Sequence, residues 1–181
     1  MRKPYFKNKL NYTKMNYLNI QTEKTLPVAK ELNQLLADYH IYYQKLRNFH
    51  WNILGKNFFV LHEKFEEMYT DARIKIDEIA ERILTLQYHP VSKYSKYLIM
   101  SSISEESPIQ TDSQMVYLLL EDHKKLLTQM SIVINKAENA EDEGTLDLMS
   151  GYIAGIEKTS WMLNAWSKNT VDQLNEEIIL S

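Results

Sequence analysis

Glycine and proline, the residues that most weaken a helix interior, are scarce in this chain and divide it at a few points. Four of each occur among 181 residues, and three long stretches, 28–54, 56–89 and 109–143, contain neither. An interior Gly costs about 1 kcal/mol relative to Ala, and an interior Pro about 3 kcal/mol. These stretches therefore predict long helices, and no strand-like alternation of apolar and polar residues competes with them.

Apolar residues within these stretches recur every three or four positions, which is the spacing of one helix face. We expect helix A to begin near Pro27 and to end at Gly55, and we expect Asn57 to cap helix B. Helix C is predicted from about Thr111 and helix D from near Thr145. The apolar positions are Leu32, Leu35, Tyr39, Tyr42, Leu46, Phe49 and Ile53 in helix A; Phe58, Leu61, Phe65, Met68, Ala72, Ile76, Ile79 and Ile83 in helix B; Met115, Leu119, Leu126, Met130 and either Val133 or Ile134 in helix C; and Leu148, Tyr152, Ile156, either Met162 or Leu163, and Trp166 in helix D.

Residues 86–110 differ from the rest of the chain, because they hold Pro90, Pro108 and several serines around the apolar run 97–100. We interpret them as a crossover that contains one short helix. The connections are then short between helices A and B, long between B and C, and short between C and D. This order predicts an all-α fold, a ferritin-like four-helix bundle with a long B–C crossover.

The predicted domain boundaries follow a shift in charge. Net charge is −3, yet residues 1–20 carry five basic side chains and no acidic one, so the remainder of the chain carries −8. We predict a basic N-terminal arm at 1–24, the bundle at 25–172 and a short C-terminal tail at 173–181. Such a charge asymmetry indicates a separate role for the arm. The five basic residues within positions 1–20 are Arg2, Lys3, Lys7, Lys9 and Lys14.

Composition excludes several classes of protein. Cysteine is absent, so neither a disulfide framework nor a cysteine metal site can form. The basic residues at the start are not followed by the apolar segment of a secretory signal. The longest apolar run, the six residues from Met115 to Leu120, is far too short to span a membrane. We expect a soluble, cytoplasmic protein without membrane contact.

Two pairs of potential metal ligands lie on one face of predicted helix B. His62 and Glu66 are four residues apart, as are Asp77 and Glu81, so each pair is adjacent on the helix surface. Glu66 and Asp77 are close to three whole turns apart, which puts both pairs on the same face. His50, about one turn before helix A ends, should lie at the height of His62. Imidazoles and carboxylates together suit iron, zinc or manganese, although surface carboxylates are often only solvated.

A single copy of helix B cannot bring both pairs to one ion, because His62 and Asp77 are about 22 Å apart along it. In an antiparallel second copy, residue 62 would lie opposite 81 and 66 opposite 77, with one two-fold axis for both pairings. We therefore predict two equivalent sites per dimer, each with His50, His62 and Glu66 from one chain and Asp77 and Glu81 from the other. A di-iron centre inside one bundle is not expected, since no His has a Glu three residues before it.

The segments around these ligands resemble the Dps family, the small-shell branch of the ferritin superfamily. The resemblance implies that His50, His62, Asp77 and Glu81 are the iron ligands and catalytic residues of a ferroxidase site between subunits. Glu66 stands where the family has a carboxylate, often Asp. The likeness covers about residues 26–168 and rests on NFHWN at 48–52, NFF at 57–59, LHEKFEE at 61–67, DEIAERI at 77–83, DEGT at 142–145, EK at 157–158 and WML at 161–163.

The same resemblance implies a hollow dodecamer, built from two-fold dimers, that oxidises Fe(II) to Fe(III) and stores the ferric mineral. Hydrogen peroxide is the typical oxidant, and two adjacent irons could reduce one peroxide without releasing hydroxyl radical, which protects the cell from oxidative damage. Trp51 matches a tryptophan near the iron, with packing at the dimer contact as an equal alternative. Asp142 and Asp147 are candidates for acidic pores that draw in Fe(II), although Asp147 could simply complement the helix dipole.

The basic arm leaves a second function open. Some Dps proteins bind DNA through lysine-rich tails, and many copies in one shell would add avidity. The acidic body weighs against DNA binding, and the aromatic residues of the arm could instead dock it onto the shell. The alternatives to an iron-storing shell are therefore a nucleoid-binding protein with secondary metal sites and a purely structural helical oligomer.

Overall fold

The computed structural model describes Leu18 and residues 20–168 of the chain. The five basic residues within positions 1–20 and the predicted tail at 173–181 lie outside the described residues. Within the described part no strand is present, and no helix has both the length and the apolarity needed to cross a membrane. The helices are α1 (Thr22–Asn52), α2 (Phe58–Thr85), α3 (Tyr94–Met100), α4 (Asp112–Ala140) and α5 (Glu143–Ser167).

The four long helices form the predicted bundle, and α3 is the short helix expected in the crossover. α1 packs against α2, α3 and α4, and α4 packs against α5. Their apolar faces are buried, and the two open choices are decided in favour of Val133 and Leu163, which are 0% and 3% exposed. Met162, by contrast, is 44% exposed. The fold class predicted from the sequence is confirmed.

The first helix begins earlier than predicted. α1 starts at Thr22 and contains Pro27, so the expectation of a start near Pro27 is wrong. Pro27 lies in the second turn of α1, where it removes the N–H that would bond to the carbonyl of Glu23. Other contacts hold the extra turn, because the hydroxyls of Thr25 and Tyr88 donate to the Thr22 carbonyl oxygen at 3.0 and 2.5 Å.

The turn between α1 and α2 brings the end of one helix beside the start of the next. α1 ends at Asn52 with Ile53 in an extended conformation, three residues before the predicted end, whereas Gly55 has the expected left-handed conformation within the turn, with a φ of 96°. Asn57 occupies the N-cap position of α2, but its side chain makes no cap hydrogen bond, so the predicted cap is wrong. Its amide instead donates to Asp112 Oδ2 at 2.5 Å and ties this turn to the start of α4.

Helices α4 and α5 begin at or near their predicted positions. Thr111 and Gln114 form a complete capping box at the start of α4. α5 begins at Glu143, two residues before the predicted Thr145, and the Asp142 side chain caps it by accepting from the Thr145 N–H. Both starts therefore follow local cap chemistry that the sequence displays.

Polar side chains of α1 anchor the crossover. Asn33 Oδ1 accepts the Val91 N–H at 2.7 Å. Asp38, which is fully buried, accepts the Ser102 N–H at 2.6 Å and the Ser101 hydroxyl at 3.0 Å. The crossover is thus fixed to α1 on both sides of α3.

Candidate metal centre

His50 and His62 meet face to face across the α1–α2 turn. His50 is in the last turn of α1, and His62 is one turn into α2. Their rings stack with centroids 3.8 Å apart and an angle of 23° between their planes. The predicted equal height of the two imidazoles is therefore observed within one chain.

Each of these histidines is oriented by the backbone of the other. His50 Nδ1 lies 2.8 Å from the His62 carbonyl oxygen, and His62 Nδ1 lies 2.8 Å from the His50 carbonyl oxygen. A carbonyl oxygen can only accept, so both Nδ1 atoms donate. In the neutral ring the proton then sits on Nδ1, and Nε2 keeps its lone pair for a metal. This is the outer hydrogen bonding that orients metal-binding histidines.

Glu66 completes a group of three potential ligands. One ligand atom from each of His50, His62 and Glu66 falls within 4.8 Å of the other two. His50 is buried, whereas Glu66 is exposed, so the group opens from the bundle surface towards solvent. Among the described residues, no other group of three histidine or carboxylate side chains comes this close together.

Two aromatic residues that the sequence analysis did not select hold this group. The Tyr69 hydroxyl donates to Glu66 Oε1 at 3.2 Å, and the Tyr69 ring lies edge-on to the His50 ring at 5.3 Å. The Phe58 ring stacks on His62 at 4.8 Å. The spacing of Tyr69, three residues after Glu66, is the only sequence signal that could have identified it.

Asp77 and Glu81 lie apart from the other three candidates. Both are exposed on α2, which is continuous from Phe58 to Thr85. His62 and Asp77 are therefore separated by about 22 Å along the helix. One chain brings together three of the five predicted ligands and leaves two carboxylates facing solvent.

The two candidate pore residues have different environments. Asp142 is 7% exposed and is engaged with Arg82 and with Thr145, whose hydroxyl donates to its Oδ2 at 2.7 Å. The Arg82 guanidinium also lies over Gly144, where a Cβ would come within 2.9 Å of it. The Asp142 carboxylate caps α5 and joins α5 to α2, whereas Asp147 is exposed on the surface of α5.

Trp51 is exposed beside the candidate metal centre. Its side chain has 56% of its surface in solvent, and the Arg47 guanidinium lies 4.6 Å above its ring. Arg47 also lies 5.3 Å from the Tyr43 ring. An aromatic residue exposed to this extent next to His50 is suited to contact with another chain.

The chain is similar to ferritin-like proteins along most of its length. A family model described as a ferritin-like domain matches residues 29–171. A DNA protection during starvation protein 2 of Bacillus anthracis is 42% identical over 139 residues, which cover 77% of this chain and 95% of that protein. A DNA protection during starvation protein of Porphyromonas gingivalis is 40% identical over 148 residues, which cover 82% and 93%.

The fold has equally close structural relatives. The crystal structure of the DPS protein of Vibrio cholerae O1, described as a member of a broad superfamily of ferritin-like diiron-carboxylate proteins, superposes with a TM-score of 0.82 at 44% identity. The match covers 85% of this chain and 97% of that one. The crystal structure of a Dps protein from Bacillus brevis gives 0.78 at 38% identity, covering 81% and 98%. The family match includes every helix position that carries a candidate ligand.

Proposed function

This chain belongs to the Dps family of ferritin-like proteins, and on that basis we propose that it oxidises Fe(II) to Fe(III) and stores the ferric product inside a shell of identical subunits. The observation that carries the proposal is the group of His50, His62 and Glu66, with both imidazoles held by reciprocal hydrogen bonds. Such a set is oriented before any metal arrives, so little ordering is needed on binding.

The donor types suit iron as a substrate that changes oxidation state. Imidazole nitrogens are good ligands for Fe(II), and hard carboxylate oxygens favour the more highly charged Fe(III). Tyr69 donates to one oxygen of Glu66 and leaves the other available. Glu66, the candidate ligand of this group that is most exposed to the incoming ion, would thus favour its oxidation.

The site is completed by a second copy of the chain in this proposal. Asp77 and Glu81 are exposed and too far from His62 to share its ion. An antiparallel α2 from a second subunit would place them opposite Glu66 and His62. Exposed Trp51 supports such a contact, since aromatic residues are enriched in interface cores. Each dimer would then hold two sites of two irons, and six dimers would form the dodecamer.

Hydrogen peroxide is the proposed oxidant. Two Fe(II) ions at one site can supply the two electrons that convert one peroxide to two hydroxide ions, so no radical leaves the site. Asp147, exposed near the start of α5, is the remaining candidate for drawing Fe(II) through a pore. A cytoplasmic location, where this activity limits damage from iron and peroxide, belongs to the same proposal.

DNA binding is the second candidate function. It is favoured by the five basic residues within positions 1–20 and by the names of the relatives from Bacillus anthracis and Porphyromonas gingivalis. The negative charge of the remaining chain opposes it. A gel shift at low salt that is lost when residues 1–20 are deleted would support it, and no shift at low salt would exclude it.

The proposed oxidation is tested by peroxide-dependent iron oxidation, followed by absorbance of the ferric product. We expect the double substitution His50→Ala and His62→Ala to abolish the fast phase. His89, which is exposed outside the site, gives the matched control His89→Ala. Equal rates in the double variant and the control would contradict the proposal.

A further inference from the structure

A buried tyrosine and histidine lie in the bundle interior, outside the candidate metal centre. Tyr42 on α1 and His123 on α4 are 4% and 1% exposed. The Tyr42 hydroxyl oxygen is 2.7 Å from His123 Nε2, and His123 Nδ1 is 2.7 Å from the Ser160 hydroxyl on α5. Three helices thus contribute to one short chain of hydrogen bonds.

The direction of this hydrogen-bond chain is set at its Ser160 end. The Ser160 hydroxyl donates to the Ile156 carbonyl oxygen at 2.7 Å, so its oxygen accepts from His123 Nδ1. In a neutral ring Nε2 is then an acceptor, and the Tyr42 hydroxyl must donate to it. Burial lowers the pKa of His123 to about 4, which keeps the ring neutral at physiological pH. The phenol therefore faces an unprotonated base across a short hydrogen bond.

A series of ring contacts runs from the candidate metal centre to Tyr43, the residue next to Tyr42 in α1. The Tyr69 ring contacts the His50 ring at 5.3 Å, and it contacts the Tyr43 ring at 6.1 Å. Tyr43 is the neighbour of Tyr42 in α1. The ring contacts therefore reach from the metal site to Tyr43, and the last step to Tyr42 runs between adjacent residues of α1 rather than between touching rings.

We propose that Tyr42 and His123 form a redox-active pair that takes up a single oxidising equivalent generated at the iron site. This inference rests on the proposed iron oxidation. A site holding only one Fe(II) gives peroxide one electron, which yields Fe(III), hydroxide and a hydroxyl radical. An electron passed from Tyr42 through Tyr43 and Tyr69 converts that radical to hydroxide. The Tyr42 proton moves to His123 Nε2, which leaves a neutral tyrosyl radical beside an imidazolium.

The acceptor of the phenol proton distinguishes Tyr42 from other tyrosines of the described chain. Tyr88 and Tyr97 donate to the backbone carbonyls of Thr22 and Val91, which cannot take up a proton. Tyr69 and Tyr152 donate to Glu66 and Glu78, whose carboxylates are exposed to solvent. Tyr42 combines a basic acceptor with exclusion of water, so its radical is protected until a later Fe(II) returns the electron and the proton moves back.

The pair is tested first without iron. The full-length, metal-free assembly is photo-oxidised with a ruthenium tris(bipyridine) complex and a cobalt(III) quencher, then frozen for electron paramagnetic resonance. We expect a tyrosyl signal that outlasts those of solvent-exposed tyrosines and is lost in Tyr42→Phe and in His123→Gln. The matched control Tyr97→Phe, a buried tyrosine with a carbonyl acceptor, should keep it. Gel filtration and circular dichroism verify that each variant is folded and assembled.

The second arm adds substoichiometric Fe(II) and then hydrogen peroxide. The same long-lived signal is expected in the wild type and in Tyr97→Phe, with loss in Tyr42→Phe. A long-lived signal that persists in Tyr42→Phe in the photochemical arm would overturn the redox pair. Iron oxidation without a Tyr42 signal would overturn its link to the metal site. An absence of any iron oxidation would instead contradict the proposed function. The photochemical arm would still show whether Tyr42 and His123 form a redox-active pair.

Discussion

His50 and His62 each donate from Nδ1 to the backbone carbonyl oxygen of the other, at 2.8 Å in both directions. The two hydrogen bonds, together with the stacked rings, make each histidine both a candidate ligand and the support of its partner. A substitution at either position should therefore disturb two ligands at once.

Replacing His62 with Ala should lower affinity for a divalent metal by about 100-fold or more. Losing an outer hydrogen bond to a ligand costs about 10–100-fold, and losing the ligand itself should cost at least as much. The substitution removes one ligand and also the ring that stacks on His50. The hydrogen bond from His50 to the backbone carbonyl of residue 62 would remain. Isothermal titration with Zn(II) measures the affinity, with His89→Ala as control. An affinity equal to that of the control would place the metal elsewhere.

Removing only one partner of the buried ion pair between Lys45 and Asp122 should lower the stability of the protein. Their Nζ and Oδ2 atoms are 2.6 Å apart, and both side chains are almost fully buried. Lys45→Met should destabilise the protein by up to about 3–5 kcal/mol, because it leaves the buried carboxylate with only the partly exposed Lys125, whose Nζ is 3.9 Å from Asp122 Oδ1. The double variant Lys45→Met and Asp122→Leu should recover most of that loss in denaturant unfolding. A Lys45→Met variant as stable as the wild type would contradict the importance of this pair.

Asp142 and Asp147 should respond differently to removal of their charge. Asp142→Ala removes a helix cap and leaves Arg82 without its carboxylate, so we expect a loss of about 2–4 kcal/mol in stability. Asp147→Asn should change stability by less than about 0.5 kcal/mol, as an exposed substitution, while slowing iron uptake. Unfolding curves and uptake rates, measured on the same two variants, separate the roles. Equal effects of both variants on stability would be inconsistent with the observed cap.

Acid should destabilise the protein in part through His123. Burial lowers the pKa of His123 from 6.5 to about 4. Between these two pH values His123 is protonated in the unfolded chain but stays neutral in the folded chain. Stability falls as the pH decreases across this window, by at most about 3 kcal/mol. His123→Gln should flatten the dependence of unfolding free energy on pH between 6.5 and 4, and His89→Gln should not. If the unfolding free energy of His123→Gln depended on pH in the same way as that of the wild type, His123 would not be a source of the acid sensitivity.

The helix order could be predicted because its signals are local. Gly55 takes up a left-handed conformation in the turn after α1, and Thr111 begins α4 through its capping box. Two of the boundary details that were wrong depend on distant partners, since Tyr88 supports the extra turn of α1 and Asp112 accepts from the Asn57 amide. Such partners lie 66 and 55 residues away along the chain.

The candidate site was predictable to a similar extent. Helix spacing and a short turn are sufficient to place His50 beside His62, and to separate Asp77 from both. The reciprocal hydrogen bonds depend on ring rotation, which spacing does not specify. The Tyr42–His123 pair joins residues 81 positions apart, and only the packing of α1 against α4 creates it.

Sharing of each iron site between two copies is tested most directly by complementation. One variant carries His50→Ala with His62→Ala, and a second carries Asp77→Ala with Glu81→Ala. Each alone should lack the inter-subunit site. Co-expressed with different affinity tags and purified as mixed dimers, they should regain one intact site per dimer, built from the histidines of one chain and the carboxylates of the other. Recovery of peroxide-dependent iron oxidation is the predicted result, and mixed dimers as inactive as either parent would contradict a shared site.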